Sequence, residues 1–170
     1  PYKLLSIGSF GERKGTDVLL KSMQYVNRHV NLTIIGAAEN NITYYNSLLK
    51  KLDLEQVVCL EFYKEREWLE KNISSFDVYI VSSRMETFSV VTVEAMSAGL
   101  PILTTRCYGP ESLINENIGL IVNKHTAQSL AEGIDDILLN IDRYKPDYIY
   151  KYAGENFSLE RIGEKWKSIY

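Results

Sequence analysis

Short apolar, β-branched runs alternate along the chain with longer stretches whose apolar residues recur at helical spacing. That alternation predicts βα units feeding a parallel sheet. Six runs read as strands, at residues 3–8, 31–36, 57–62, 77–82, 102–105 and 119–122. Their unbroken Leu, Ile and Val character predicts burial on both faces. Between them, Thr16 or Asp17 can cap a helix whose Leu19, Leu20, Met23 and Val26 share a face, and Thr43 can cap a helix over 44–52. Residues 65–75 carry Trp68, Leu69 and Ile73 at similar spacing, and Thr126 opens a helix to 140 with Leu130, Ile134, Ile137 and Leu138 as its stripe. The tail, 148–170, is expected to break near 154–158 and to end in Ile162, Trp166 and Ile169. Val90-Val91-Thr92-Val93 favours a strand by propensity. The following Glu94-Ala95-Met96-Ser97-Ala98 and the stop signal of Gly99 and Pro101 instead predict a helix over 90–98, with Ser89 at its N-cap.

Composition narrows the class. At 170 residues, with 45% hydrophobic and 24% charged side chains, the chain reads as one globular domain. No run approaches the roughly 18 apolar residues of a membrane span. The net charge of −3 argues against the broad basic surface that nucleic acid requires, so no nucleic-acid partner is expected. What positive charge there is gathers early: residues 1–60 carry seven basic against five acidic groups, and the remainder twelve against seventeen. Cys59 and Cys107 each belong to or follow an apolar run and are expected to be reduced core thiols. No basic-then-apolar leader opens the chain at Pro1, so the sequons at Asn31, Asn41, Asn72 and Asn156 are expected to be chance matches and the location cytoplasmic.

In an open α/β sheet, ligands bind beyond the carboxyl ends of the strands, where loops enter helices. Two such loops hold more than turn residues. Gly8-Ser9-Phe10-Gly11-Glu12-Arg13-Lys14-Gly15 offers glycines for close backbone approach and a lysine beside a helix start, a combination suited to phosphate. It is neither a Walker A loop nor a G-x-G-x-x-G fingerprint, and a solvated turn explains it equally well. Ser82-Ser83-Arg84-Met85-Glu86-Thr87-Phe88-Ser89 contains the first of two carboxylates eight positions apart. Glu86 projects from the loop and Glu94 from the second helical turn. Both can then reach one ligand whose phosphates dock on the Ser89 and Val90 amides. Glu94 lies among Val93, Ala95 and Met96, where an unpaired carboxylate is costly.

Residues 83–89, followed by Val93-Glu94-Ala95-Met96-Ser97-Ala98-Gly99-Leu100-Pro101-Ile102, resemble the E-x7-E region of the GT-B retaining glycosyltransferases (glycosyl transferases group 1, family 4-like). The likeness extends outward. Gly8 through Lys14-Gly15 is similar to the family's G-R-x4-K-G loop and Ile34-Ile35-Gly36 to its second strand end. Gly109-Pro110-Glu111 with Gly119-Leu120-Ile121-Val122 resembles the following loop and strand, and 157–170 the closing helix. The resemblance implies a Rossmann-like three-layer α/β/α domain with a mainly parallel six-stranded sheet, the C-terminal half of a GT-B fold. It implies a single sugar-nucleotide-binding domain over 1–170, with an N-terminal acceptor domain absent and peripheral membrane association expected only through that missing half.

By the same resemblance, Glu86 contacts the hydroxyls of the donor sugar, Glu94 the nucleotide ribose and Lys14 the diphosphate. Gly8, Met85, Thr87 and the amides of Phe88, Ser89 and Val90 border donor phosphate or sugar, and Tyr63 and Lys64 border the base. The implied donor is a UDP-, GDP- or ADP-sugar, handled as substrate without a metal or other cofactor, for transfer to a saccharide or lipid-linked acceptor in polysaccharide, capsule or lipopolysaccharide biosynthesis. One departure stands out: Ser9 occupies the place where the family often has arginine, and Arg13 is the nearest substitute cation. A non-catalytic sugar-nucleotide-binding module is the alternative. A flavodoxin-like signalling domain with Asp77 as phosphoacceptor is disfavoured, because no acidic cluster follows the first strand and Asp77 reads more simply as a strand opener.

Overall fold

The computed structural model describes residues 1–37, 39–158 and 161. Six strands, β1 (Tyr2–Ile7), β2 (Val30–Ala37), β3 (Val58–Phe62), β4 (Val78–Val81), β5 (Ile102–Thr105) and β6 (Gly119–Val122), form one sheet in the order β3-β2-β1-β4-β5-β6. All five pairings are parallel. The first four crossovers carry helices α1 (Thr16–Ser22), α2 (Glu39–Lys51), α3 (Arg66–Asn72) and α4 (Val90–Ser97), the β5–β6 connection carries a short 3-10 turn at Pro110–Ser112, and α5 (Ala127–Leu139) and α6 (Pro146–Phe157) follow β6. The six predicted strands and the Rossmann-like α/β architecture are all present.

Burial explains the strand runs. Every residue of β4 and β5 is buried, as helices on both faces demand, and Leu4, Leu5, Tyr79, Ile80, Ile102 and Leu103 form the centre of the core. The edge strand β3 is different: Cys59 is exposed, so only Cys107 is the core thiol expected of both, and each cysteine is free. Asp77 opens β4 as expected, its carboxylate accepting from the Lys3 amide at 2.6 Å while its own amide donates to the Lys3 carbonyl at 2.8 Å.

Helix starts depart from the capping expectations in three places. Thr16 and Asp17 are the first residues of α1 rather than its cap. Gly15 takes the N-cap position with φ 66°, and a Cβ there would lie 2.0 Å from the Ser82 carbonyl oxygen. Contact with the neighbouring strand end, not side-chain capping, therefore fixes this helix start. α2 begins at Glu39, so Thr43 lies inside it, its carbonyl accepting from Ser47 Oγ at 2.9 Å. Ser89 does hold the N-cap position of α4, but in the left-handed region (φ 66°) and without capping through its side chain. Thr126 caps α5 as predicted, accepting from the Ser129 amide at 3.2 Å. α6 continues through Gly154 and ends at Phe157, because buried Ile149 and Ala153 anchor it and Gly154 faces open space. The predicted tail residues Ile162, Trp166 and Ile169 lie outside the described residues. No helix among the described residues is long and apolar enough to cross a membrane.

The sheet order contains one reversal. From β1 the chain winds outward through β2 to β3, then returns to place β4 on the other side of β1 and continues to β6. The loops leaving β1 and β4 consequently diverge at one point on the carboxyl edge, where such sheets hold their ligands.

Candidate functional site

At that reversal, Gly8 and Lys14 from the loop after β1 meet Ser82, Ser83, Glu86 and Ser89 from the loop after β4, over a floor that includes Ile7, Ile34 and Tyr79. The loop after β1 is held at both ends. The Gly8 amide donates to the Ile35 carbonyl at 2.9 Å, and Phe10 is buried with its ring edge-on to Tyr45, centroids 5.4 Å apart. Glu86 is pinned through its backbone, its amide donating to the Cys107 carbonyl at 2.9 Å and its carbonyl accepting from the Gly109 amide at 2.9 Å. A Cβ on Gly109 would lie 2.1 Å from the Thr87 carbonyl oxygen, so only glycine permits this approach.

Glu86 is 9% exposed. Its carboxylate is paired with the Lys14 ammonium, and Arg13 Nη1 stands 3.9 Å from the same oxygen while donating to the Met85 carbonyl at 3.3 Å. Two cations thus converge on one nearly buried carboxylate, which meets the cost of taking it out of water. Beneath them, Tyr79 is fully buried and its hydroxyl donates to the Ile7 carbonyl at 3.3 Å. Burial pushes this phenol well above its ordinary range, and the charges of Glu86 and Glu94 push the same way.

Beside this corner, α4 presents its first turn with no side-chain cap, since the Ser89 hydroxyl instead accepts from Thr92 Oγ1 at 2.8 Å. Glu94 lines a more apolar cleft of about 610 Å³ with Leu69, Ile73, Val90, Val93 and Phe157. Among the described residues, Glu94's carboxylate has no hydrogen-bond or ion-pair partner. Both carboxylates lie near enough to Tyr79 for their charges to act on its hydroxyl.

Residues 1–155 match the family model described as glycosyl transferases group 1. The chain belongs to that family. It is 29% identical over 98% of its length to an uncharacterized glycosyltransferase of Haemophilus influenzae, covering 48% of that protein. It is 26% identical over 88% of its length to the amylovoran biosynthesis glycosyltransferase AmsK of Erwinia amylovora, covering 38% of it. Its fold superposes on Anabaena HepE, solved in complex with UDP, with a TM-score of 0.82 at 20% identity, covering 98% of this chain and 49% of that one. The chain spans about half the length of the curated relatives it matches. The fold is that of the Rossmann-like C-terminal domains of GT-B glycosyltransferases.

Within this glycosyltransferase domain, Gly8, Lys14, Glu86 and Ser89 come together at the strand reversal, with Arg13 and Met85 at the rim. Ser9 is exposed beside Gly8. Thr87, Phe88 and Val90 are exposed along the approach to α4, Phe88 with its ring edge toward Phe157 at 6.3 Å. Tyr63 and Lys64 lie apart, at the end of the edge strand β3. Tyr63 is 70% exposed, whereas Lys64 pairs with Glu61 at 2.8 Å and sits 5.3 Å over the Trp68 ring. Sequence reasoning missed Arg84, Asp17 and Tyr79. Arg84 and Asp17 are 67 positions apart with no pattern joining them, and Tyr79 reads simply as one more apolar strand residue.

Proposed function

We propose that this chain is the donor-binding domain of a retaining, hexosyl-type glycosyltransferase that takes a UDP-, GDP- or ADP-sugar. The observation that carries the reading is the meeting of Lys14, Glu86 and the uncapped start of α4 at the strand reversal. Loss of a nucleoside diphosphate leaves negative charge on the leaving group. An ammonium and a helix N-terminus fixed in advance stabilise that charge without solvent reorganisation. Lys14 takes the diphosphate, Glu94 the ribose and Glu86 the hydroxyls of the transferred sugar. The amides of Phe88 to Val90 border the phosphates, Met85 and Thr87 the sugar, and Tyr63 and Lys64 the base. Binding of UDP by Anabaena HepE, which shares the fold, supports a nucleotide donor.

A divalent metal is not required on this reading, because Lys14, Arg13 and α4 supply the positive potential. The acceptor, a saccharide or lipid-linked saccharide of a polysaccharide pathway, is positioned by a second domain. The likeness to an amylovoran biosynthesis enzyme supports that class. Residues 1–170 alone therefore bind donor but transfer sugar poorly, since the orientation of two substrates is lost. The reading includes a cytoplasmic location, where a charged nucleotide sugar would be met.

Thermal unfolding against uridine, guanosine and adenosine diphosphates and their sugar conjugates, with and without chelator, is the test. A bound nucleotide at a hundred times its dissociation constant stabilises by about 2.7 kcal/mol. One base should stand out and chelator should not matter. No shift with any of them overturns the donor-site reading. Ser9, in place of the arginine of resembling sequences, favours one second reading: a binding module without turnover, distinguished by donor binding with no transfer in the full-length protein.

A further inference from the structure

Three consecutive carbonyls of the loop that carries Lys14 are held by residues just upstream of Glu86. Arg84 Nη1 donates to the Glu12 carbonyl, the Arg84 amide donates to the Arg13 carbonyl at 2.8 Å, and Ser82 Oγ donates to the Lys14 carbonyl at 2.9 Å. The Arg84 guanidinium continues onto α1, where Nη1 and Nη2 donate to the two carboxylate oxygens of Asp17 at 3.1 and 3.2 Å. A two-pronged pair of this kind fixes orientation as well as distance. Arg84 thus reaches the loop, its helix and the segment bearing Glu86 at once.

We infer that Arg84, oriented by Asp17, is a positioning residue that sets where the Lys14 ammonium stands relative to Glu86, and so governs affinity for the diphosphate group without touching it. The inference rests on the donor-site reading above. Arg84 points its side chain at Glu12 and Asp17, not at the space between Lys14 and Glu86, so its influence passes through the loop backbone. The other backbone bonds of this stretch are local, the Lys14 and Gly15 amides donating to the Gly11 and Glu12 carbonyls at 3.2 and 3.0 Å and the Gly11 amide to Thr16 Oγ1 at 3.4 Å, while Arg13 Nη1 reaches the Met85 carbonyl from the exposed side. A lysine at position 84 keeps the charge and loses the fork.

The test is calorimetry of the nucleoside diphosphate that the parent binds, in the full-length protein, for Arg84→Lys, Asp17→Asn, Lys14→Ala and the Arg84→Lys/Lys14→Ala pair, with unfolding midpoints measured alongside. Arg84→Lys and Asp17→Asn should each weaken binding about threefold to tenfold, the range expected when residues couple through a shared backbone segment. Once Lys14 is absent, Arg84→Lys should cost nothing further. A purely structural arginine would lower the midpoint equally in both backgrounds and leave affinity alone. If the parent binds and Arg84→Lys binds as well as the parent, or if the two substitutions are additive, the inference falls while the donor site stands. If the parent binds none of the three diphosphates, the donor-site reading falls and takes this inference with it.

Discussion

Glu86 and Glu94 stand eight positions apart in one motif and live in opposite circumstances. Glu86 is nearly buried, its amide and carbonyl are both committed, and its carboxylate is shared by Lys14 and Arg13. Glu94 is half-buried on a helix, bordered by Val90, Val93 and Phe157, with no partner for its carboxylate among the described residues. The first belongs to a preformed ionic cluster that holds Lys14 in place. The second presents acceptors that a ligand hydroxyl can meet without displacing anything. Sequence spacing places both near one ligand, but their partners decide what each can offer it.

The largest effect should come from removing the cation that this comparison turns on. On the proposed donor site, Lys14→Ala removes a charge-assisted contact to phosphate, of about 1.5–3 kcal/mol, so diphosphate affinity should fall about tenfold to a hundredfold by calorimetry. Unchanged affinity would mean that Lys14 serves only to neutralise Glu86. The carboxylates themselves sharpen the contrast. Glu94→Gln should weaken binding of the bare nucleoside diphosphate by about fivefold, or about 1 kcal/mol, because the amide keeps one acceptor oxygen and loses the charge. Glu86→Gln should leave that binding unchanged or slightly tighter, because Lys14 is released from its ion pair, while turnover in the full-length enzyme falls. Equal weakening by both would contradict the division of roles.

How much of this was legible in the sequence follows from the range of the forces involved. The central strands are visible because burial between two helical layers demands continuous apolar runs, and Gly99 with Pro101 overrides the β-branched run at 90–93. The motif loops are visible as unusual residues at strand ends. Helix starts are less legible, since Gly15 is held by the Ser82 carbonyl rather than by a capping side chain. The Asp17–Arg84 pair and the crossing of Glu86 with the Cys107 to Gly109 segment are tertiary, and nothing local announces them. Cys59 reads as core from its apolar neighbours, but the edge position of β3 leaves it exposed.

A smaller effect concerns the cation deficit at Ser9. Arg13 already leans over the site, 3.9 Å from the Glu86 carboxylate, yet its side chain is 59% exposed. Solvent screening limits what it can add, so Arg13→Ala should weaken diphosphate binding by about twofold to fivefold. Ser9→Arg should tighten binding by a similar factor, and less so when Arg13 is present than in Arg13→Ala, if both serve one phosphate. A neutral Arg13→Ala beside a strongly beneficial Ser9→Arg would show a site poor in cations and favour the module without turnover.

The smallest effect separates the stability of the Asp17–Arg84 pair from its influence on binding. Burial raises the Asp17 carboxyl, but its hydrogen bonds and charge pairing with Arg84, aided by Lys21, outweigh this and hold it below its ordinary value of 3.8. A carboxylate depressed in the folded state stabilises the fold above that ordinary value, and the contribution disappears as pH falls through the lower folded value. Asp17→Asn should therefore lose stability at neutral pH, flatten the decline between about pH 5 and the acid limit, and converge on the parent where Asp17 itself is protonated. Because the pair is partly exposed to water, the neutral-pH loss should not exceed about 1 kcal/mol in denaturant titration. A difference that persists undiminished in strong acid would assign the stabilisation to packing around α1 rather than to the ion pair. The threefold to tenfold affinity loss predicted for the same variant would then have to arise from a shifted helix, and the positioning role of Arg84 would lose its electrostatic basis.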